Sequence, residues 1–212
     1  MSSATRTILV TGFEPFGGES LNASWEAARK LEGWRRGEYT AIARLLPCAY
    51  DASVEEFVRA VETLRPEAVL MTGQAARRSV VCVERFARNL DDAAAPDNLG
   101  VLRTAVAIHK GAPERLEAKA PVSAIASAIR TAGIPVRVSG NAGGFVCNHL
   151  YFCALQYVRE MGRLTPAVFL HLPATPRQTR RVTSVRPLAS ATAAKALRAA
   201  AAALVDVRRK TA

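Results

Sequence analysis

The stretch Val136-Arg-Val-Ser-Gly-Asn-Ala-Gly-Gly-Phe-Val-Cys-Asn-His-Leu150 decides how this chain folds. A short β-branched run gives way to Gly140, Gly143 and Gly144, and an amphipathic pattern starts directly after them. That order reads as strand, tight turn, helix. Cys147 then falls in the first turn of the helix. There the unpaired backbone N–H groups and the positive end of the dipole favour a thiolate over a thiol. A glycine turn followed by a helix-start cysteine marks a candidate nucleophile. The competing reading is a small buried hydrophobe, which is what most free cysteines are.

Working outward, apolar runs at Thr7 to Thr11, Ala68 to Thr72 and Ala167 to Pro173 fit strands buried on both faces. Tyr39 to Leu46 alternates as a strand, and Val80 to Phe86 fits a strand near a sheet edge with Glu84 at its middle. Helical patterns cover Asn22 to Leu31, Asp51 to Leu64 with Asp51 as cap, Val122 to Thr131, Cys147 to Met161 and Ser190 to Val207. Asn89 to Val101 reads as a long surface loop, Val101 to Ile108 as a strand or hairpin arm, and Arg177 to Arg186 as a basic loop. Strands alternating with helices, without repeats or a linker, imply one three-layer α/β/α sandwich over residues 1–212 with a mostly parallel, twisted sheet.

Composition narrows the function classes. The N-terminal residues hold too short an apolar run for a signal peptide or a spanning helix, so a soluble cytoplasmic protein is expected, with no membrane partner. Four cysteines, at 48, 82, 147 and 153, make no Cys-x-x-Cys pair and are expected to be reduced. A net charge of +11 raises the question of nucleic acid. The 29 basic residues are dispersed, however, and no aromatic-rich RNA-binding strand or basic recognition helix accompanies them. Solvated faces account for the charge, and no specific nucleic-acid partner is expected. The loop Gly12-Phe-Glu-Pro-Phe-Gly-Gly18 has no Lys-Ser/Thr after its glycines, which excludes a P-loop. Its constrained backbone sets Phe13 and Phe16 at a strand's C-terminal end, where open α/β sheets gather ligands.

A cysteine hydrolase needs a base for the thiol proton and a group to orient that base. His149 lies about 200° around the helix from Cys147, which makes it a poor partner. His171, at a strand end, can converge with Cys147 on one sheet edge, and Glu84 is the carboxylate embedded in an apolar strand.

Thr11-Gly-Phe-Glu-Pro-Phe-Gly-Gly18, Gly73-Gln74, Glu84-Arg85, Pro96-Asp-Asn98, Ala142-Gly-Gly-Phe-Val-Cys-Asn-His149 and His171-Leu-Pro-x-x-Pro176 resemble the pyroglutamyl-peptidase I family of cysteine peptidases. The likeness runs in order over almost the whole chain. It implies an omega peptidase that removes an N-terminal pyroglutamyl residue from peptides without cofactor or metal, as a homo-oligomer, often a tetramer. It implies Cys147 as nucleophile, His171 as base and Glu84 as orienting carboxylate, with the ring bound by Phe13, Phe16, Gln74, Phe145 and Val146. Alternatives are a divergent amidase for another small cyclic or N-blocked amide, or a non-catalytic relative. The departures are Ala75-Ala76-Arg77 for Gly-Gly-Arg, Ala94 for an Arg, Pro113 to Leu116 for an aromatic segment, and Cys48 for a Thr. Loss of an oxyanion-side Arg at position 94 is worth on the order of 3 kcal/mol, with Arg77 or Arg88 as candidates to replace it.

Overall fold

The computed structural model describes residues 6–162, 165–179 and 185–206. In chain order the elements are β1 (Arg6–Phe13), α1 (Ala23–Ala28) with a 3-10 turn (Arg29–Leu31), β2 (Arg35–Arg36), β3 (Tyr39–Leu46), α2 (Tyr50–Leu64), β4 (Ala68–Gln74), β5 (Val81–Glu84), β6 (Phe86–Arg88), β7 (Arg115–Glu117), α3 (Val122–Thr131), β8 (Val136–Ser139), α4 (Val146–Glu160), β9 (Ala167–Leu172) and α5 (Ser190–Asp206). Seven strands form one sheet in the order β2-β3-β1-β4-β9-β5-β8, and β6 pairs with β7 apart from it. β3, β1, β4 and β9 are mutually parallel; β2 and β5 join antiparallel, and β8 runs parallel to β5.

The two-residue period of the strands sorts their side chains into two cores. Ile8, Val10, Leu70, Val168 and Leu170 pack with residues of α1, α3 and α5. Leu9, Val69, Met71 and Phe169 pack with residues of α2 and α4 on the opposite face. This is the expected α/β/α sandwich, and the same parity places the site. Gly73 shares a face with Met71, and His171 shares one with Phe169, so both lie under α4. In β5, Val81 and Val83 join the first core, which turns Glu84 to the α4 side as well.

Several local expectations differ from the structure. The run Val80 to Phe86 is not one strand: β5 ends at Glu84, and Arg85 leaves the sheet, its N–H bonding Ser139 O while its carbonyl accepts from Ala118 N. Glu84 therefore sits at a strand end rather than its middle. Val101 to Ile108 forms no strand, only a single bridge between Asp91 and Val106. Val101, Leu102 and Val106 all face outward, so no alternation toward a core holds the segment extended. Asp51 does not cap α2; Asp97, from the long loop, accepts the Tyr50 N–H at 3.0 Å instead. Residues 180–184 of the basic loop lie outside the described residues. Among the described residues no helix is long and apolar enough to cross a membrane.

Leu170 is fully buried at the centre of β9, whereas Leu99 is 71% exposed. Leu170→Ala is expected to cost about 2–5 kcal/mol in urea unfolding, and Leu99→Ala less than about 0.5 kcal/mol. Equal midpoint shifts for the two would contradict the assigned core.

Candidate active site

Three elements deliver the chemistry to one point. His171, near the end of β9, is in register with Gly73 of β4 on one side and with Cys82 of β5 on the other. Its Nδ1 lies 2.8 Å from Glu84 Oε1, and both side chains are buried, Glu84 completely. With Glu84 ionised, Nδ1–H donates to it and Nε2 keeps its lone pair. Glu84 Oε1 also receives Arg78 Nη1, and Arg78 Nη2 donates to Asn141 O at 2.7 Å. Arg78 thus ties the carboxylate to the glycine turn that precedes Cys147.

The electrostatics follow from this packing. Burial alone would raise Glu84, but the hydrogen bond and charge of His171, the Ser139 hydroxyl and Arg78 more than offset it and hold the carboxyl below its usual range. Burial pushes His171 below its ordinary 6.5; Glu84 pulls the other way, and Arg78 adds to the lowering. The imidazole is therefore neutral at pH 7. Burial also pushes the Cys147 thiol well up, with Cys48 and Glu84 adding to the rise. Burial thus opposes the resting thiolate that the helix start favours. Both shifts favour a thiol and a neutral imidazole at rest.

Close packing fixes the sulfur. A Cβ built on Gly73 would stand 2.6 Å from Cys147 Sγ and 2.8 Å from Phe169 Cζ, so the thiol lies directly over the β4 backbone beside His171. A Cβ on Gly144 would stand 2.5 Å from Asp92 O, while Asp92 N donates to Gly144 O at 2.8 Å. The residues after the nucleophile grip the same segment. Asn148 Nδ2 donates to Arg88 O and Leu90 O at 2.9 and 3.0 Å, its Oδ1 accepts from Arg88 N at 2.8 Å, and His149 Nδ1 lies 2.8 Å from Asp91. His149 is a clamp, which agrees with its place on the helix. Pro96-Asp-Asn98 is structural in the same way: Asn98 donates to Glu14 and to Pro15 O, anchoring the long loop to the aromatic loop.

Cys147 and His171 open on a cavity of about 190 Å³ walled by Phe13, Phe16 and Phe145, with Gln74 as its polar wall and Cys48 also lining it. The Phe16 and Phe145 rings stand 5.9 Å apart. Of the eight residues singled out from sequence, seven either line this cavity or, as Glu84 does, bond one that does. Val146 is the exception. Its side chain is wholly buried in the core behind the cavity, so any contact from it is confined to its main chain. α4 carries no side-chain cap; the Asn148 and His149 N–H groups donate to Phe145 O, at 2.9 and 3.1 Å, which leaves the N–H groups of Val146 and Cys147 as the uncapped donors of its first turn.

Sequence reasoning missed Arg78 as part of the site. The signal was an arginine in the polar loop after a buried strand, but Arg77 and Arg78 looked alike. Arg77 and Arg88 line separate clefts, and Ala94 is exposed; Arg78 is the one cation lining this cavity among the described residues. No group of three His, Cys, Asp or Glu side chains among the described residues is arranged to hold a metal ion.

Comparison with known proteins places the chain among peptidases. A family model described as pyroglutamyl peptidase matches residues 6–207. The pyrrolidone-carboxylate peptidase of Cupriavidus necator is 40% identical over 205 residues, 96% of this chain and 94% of its own. That of Escherichia fergusonii is 40% identical over 92% of this chain and 91% of its own. Among solved structures, pyroglutamyl peptidase I of Bacillus amyloliquefaciens matches with a TM-score of 0.91 at 34% identity, covering 94% of both chains. Pyrrolidone carboxyl peptidase of Thermococcus litoralis matches at 0.92 with 32% identity, covering 98% of this chain and 96% of that one.

Gly73→Ala tests the placement of the thiol. Its methyl group must displace Sγ or the Phe169 ring, so alkylation of Cys147 by iodoacetamide, followed by peptide mass spectrometry, is expected to slow at least about tenfold while the far-ultraviolet spectrum is kept. An unchanged rate would put the sulfur elsewhere.

Proposed function

The chain belongs to the pyroglutamyl peptidase family, and on that premise we propose that Cys147, His171 and Glu84 are the catalytic triad with which it removes N-terminal pyroglutamyl residues from peptides. The observation that carries the reading is the buried 2.8 Å contact between Glu84 and His171 Nδ1, next to a cavity that His171 shares with Cys147. Nε2 is then the only free nitrogen of the base, on a residue in register with Gly73, over which the thiol lies.

A pyroglutamyl ring is small and largely apolar, with one amide edge. Phe13, Phe16 and Phe145 bury its carbons, and Gln74 satisfies its polar edge. Cys147 Sγ attacks the carbonyl that joins the ring to the next residue, and His171 Nε2 takes the thiol proton as the S–C bond forms. Glu84 steadies the imidazolium that results; its own charge is held in turn by Arg78. The oxyanion faces the open N–H groups at the start of α4. His171 returns its proton to the leaving amine, the peptide departs, and a thioester remains. Water attacks the thioester with His171 again as base, releasing pyroglutamate and restoring the thiol. These steps call for no cofactor. With alanine rather than arginine at position 94, the oxyanion depends on backbone donors.

The same reading makes the protein a single-domain, cytoplasmic enzyme that self-associates. The exposed apolar side chains Leu99, Val101, Leu102 and Val106, all from one loop, support self-association.

Two outcomes are expected. Cys147→Ala abolishes release of a fluorophore from a pyroglutamyl arylamide in a folded protein; retained turnover would remove Cys147 from the mechanism. Because His171 must be neutral to accept a proton and its pKa is lowered, kcat/KM should hold as pH falls through 6.5 and decline only below it. An acid limb centred above 6.5 would mean that His171 is not the titrating base.

A further inference from the structure

The Gln74 side chain can in principle present either its oxygen or its nitrogen to the ring, since the two ends differ only by rotation about the last torsion. Its surroundings remove that freedom. Gln74 Oε1 accepts from the Ala23 N–H at 2.7 Å and from Gln178 Nε2 at 3.0 Å. Gln178 is polarised in the same manner: its Oε1 accepts from the Thr175 N–H at 2.9 Å and from Thr175 Oγ1 at 3.0 Å, and its Nε2 also reaches Leu21 O at 3.3 Å. The relay is anchored at both ends by peptide N–H groups, Thr175 and Ala23, which cannot become acceptors. Rotating the Gln74 amide would set nitrogen against two donors.

We propose that Gln178 is the positioning residue that locks Gln74 with its Nε2 group toward the cavity, and that this sets the site's preference for a ring carrying a carbonyl oxygen at that edge. The proposal rests on the ring-binding role given to Gln74 above. Gln178 touches no reacting atom; it acts through Gln74. A lactam offers the required acceptor, whereas a proline-type ring, with no such oxygen, leaves the Gln74 N–H that faces it unpaired and is rejected. The selectivity of the pocket therefore originates partly in the loop after β9.

The test uses the full chain with two substitutions. Gln178→Ala deletes the donor; Gln178→Glu keeps the size but sets an acceptor against Gln74 Oε1. The measurements are KM and kcat for a pyroglutamyl arylamide, competitive inhibition by 2-pyrrolidinone as the bare lactam ring, and the rate of Cys147 alkylation. KM and the 2-pyrrolidinone inhibition constant are expected to rise about tenfold, at least as much in Gln178→Glu as in Gln178→Ala, with kcat within about threefold of the parent. Alkylation of Cys147 should be unchanged. Unaltered KM and inhibition constants in both variants would overturn the role of Gln178 alone. A parallel fall in kcat and alkylation would also overturn it, because that is what a general loosening of the site produces. A parent protein that turned over other amides but neither hydrolysed the pyroglutamyl substrate nor bound 2-pyrrolidinone would remove the ring-binding reading, and this proposal with it.

Discussion

A carboxylate with no solvent exposure, held between an imidazole and a guanidinium, is the interaction on which this site depends. Burying an ionised carboxyl without partners costs several kcal/mol, so Glu84 is tenable only with His171 and Arg78 both in place. Those two residues come from different segments. His171 arrives on β9, and Arg78 from the loop after β4. Arg78 also holds the Asn141 carbonyl, so satisfying one buried charge fixes the turn that aims Cys147. Packing and catalysis meet in the same contacts.

The dry pocket imposes an opposing demand. Aromatic walls that can bury an apolar ring also desolvate the thiol, which works against a resting thiolate. A neutral thiol is a poor nucleophile, and a neutral imidazole beside a buried carboxylate is the arrangement that compensates. In the proposed mechanism charge develops only as the S–C bond forms, and Glu84 and the backbone donors of α4 are the groups that receive it. The glycine at position 73 serves the same end by steric means: it leaves room for sulfur where any side chain would intrude.

Much of this was legible in the residues, for identifiable reasons. Unbroken apolar strands and a glycine turn before Cys147 carry a strong periodic signal, which gave the sandwich and marked Cys147 as the candidate nucleophile. Glu84 stood out because a lone charge in an apolar run requires a partner. Helical geometry separated His149 from His171. The parts that escaped depend on contacts between distant segments. Asp97 rather than Asp51 caps α2, which no local pattern encodes. Arg77 and Arg78 are adjacent and identical in type, and only the path of the loop decides that Arg78 faces Glu84. Gln178 lies 104 residues from Gln74, and its influence runs through a single hydrogen bond. Val101 to Ile108 misled because Val101, Leu102 and Val106 face outward, so composition imitated a strand that packing does not support.

The central claim is that His171 rests as a neutral imidazole with its proton on Nδ1, shared with Glu84, and a free lone pair on Nε2 for the Cys147 thiol. Nitrogen-15 NMR of the histidine side chains at pH 7 tests this directly. The account predicts one His171 nitrogen protonated and hydrogen-bonded and the other unprotonated, with the pattern lost in Glu84→Gln. A doubly protonated His171 ring at pH 7, or a proton resident on Nε2, would contradict it.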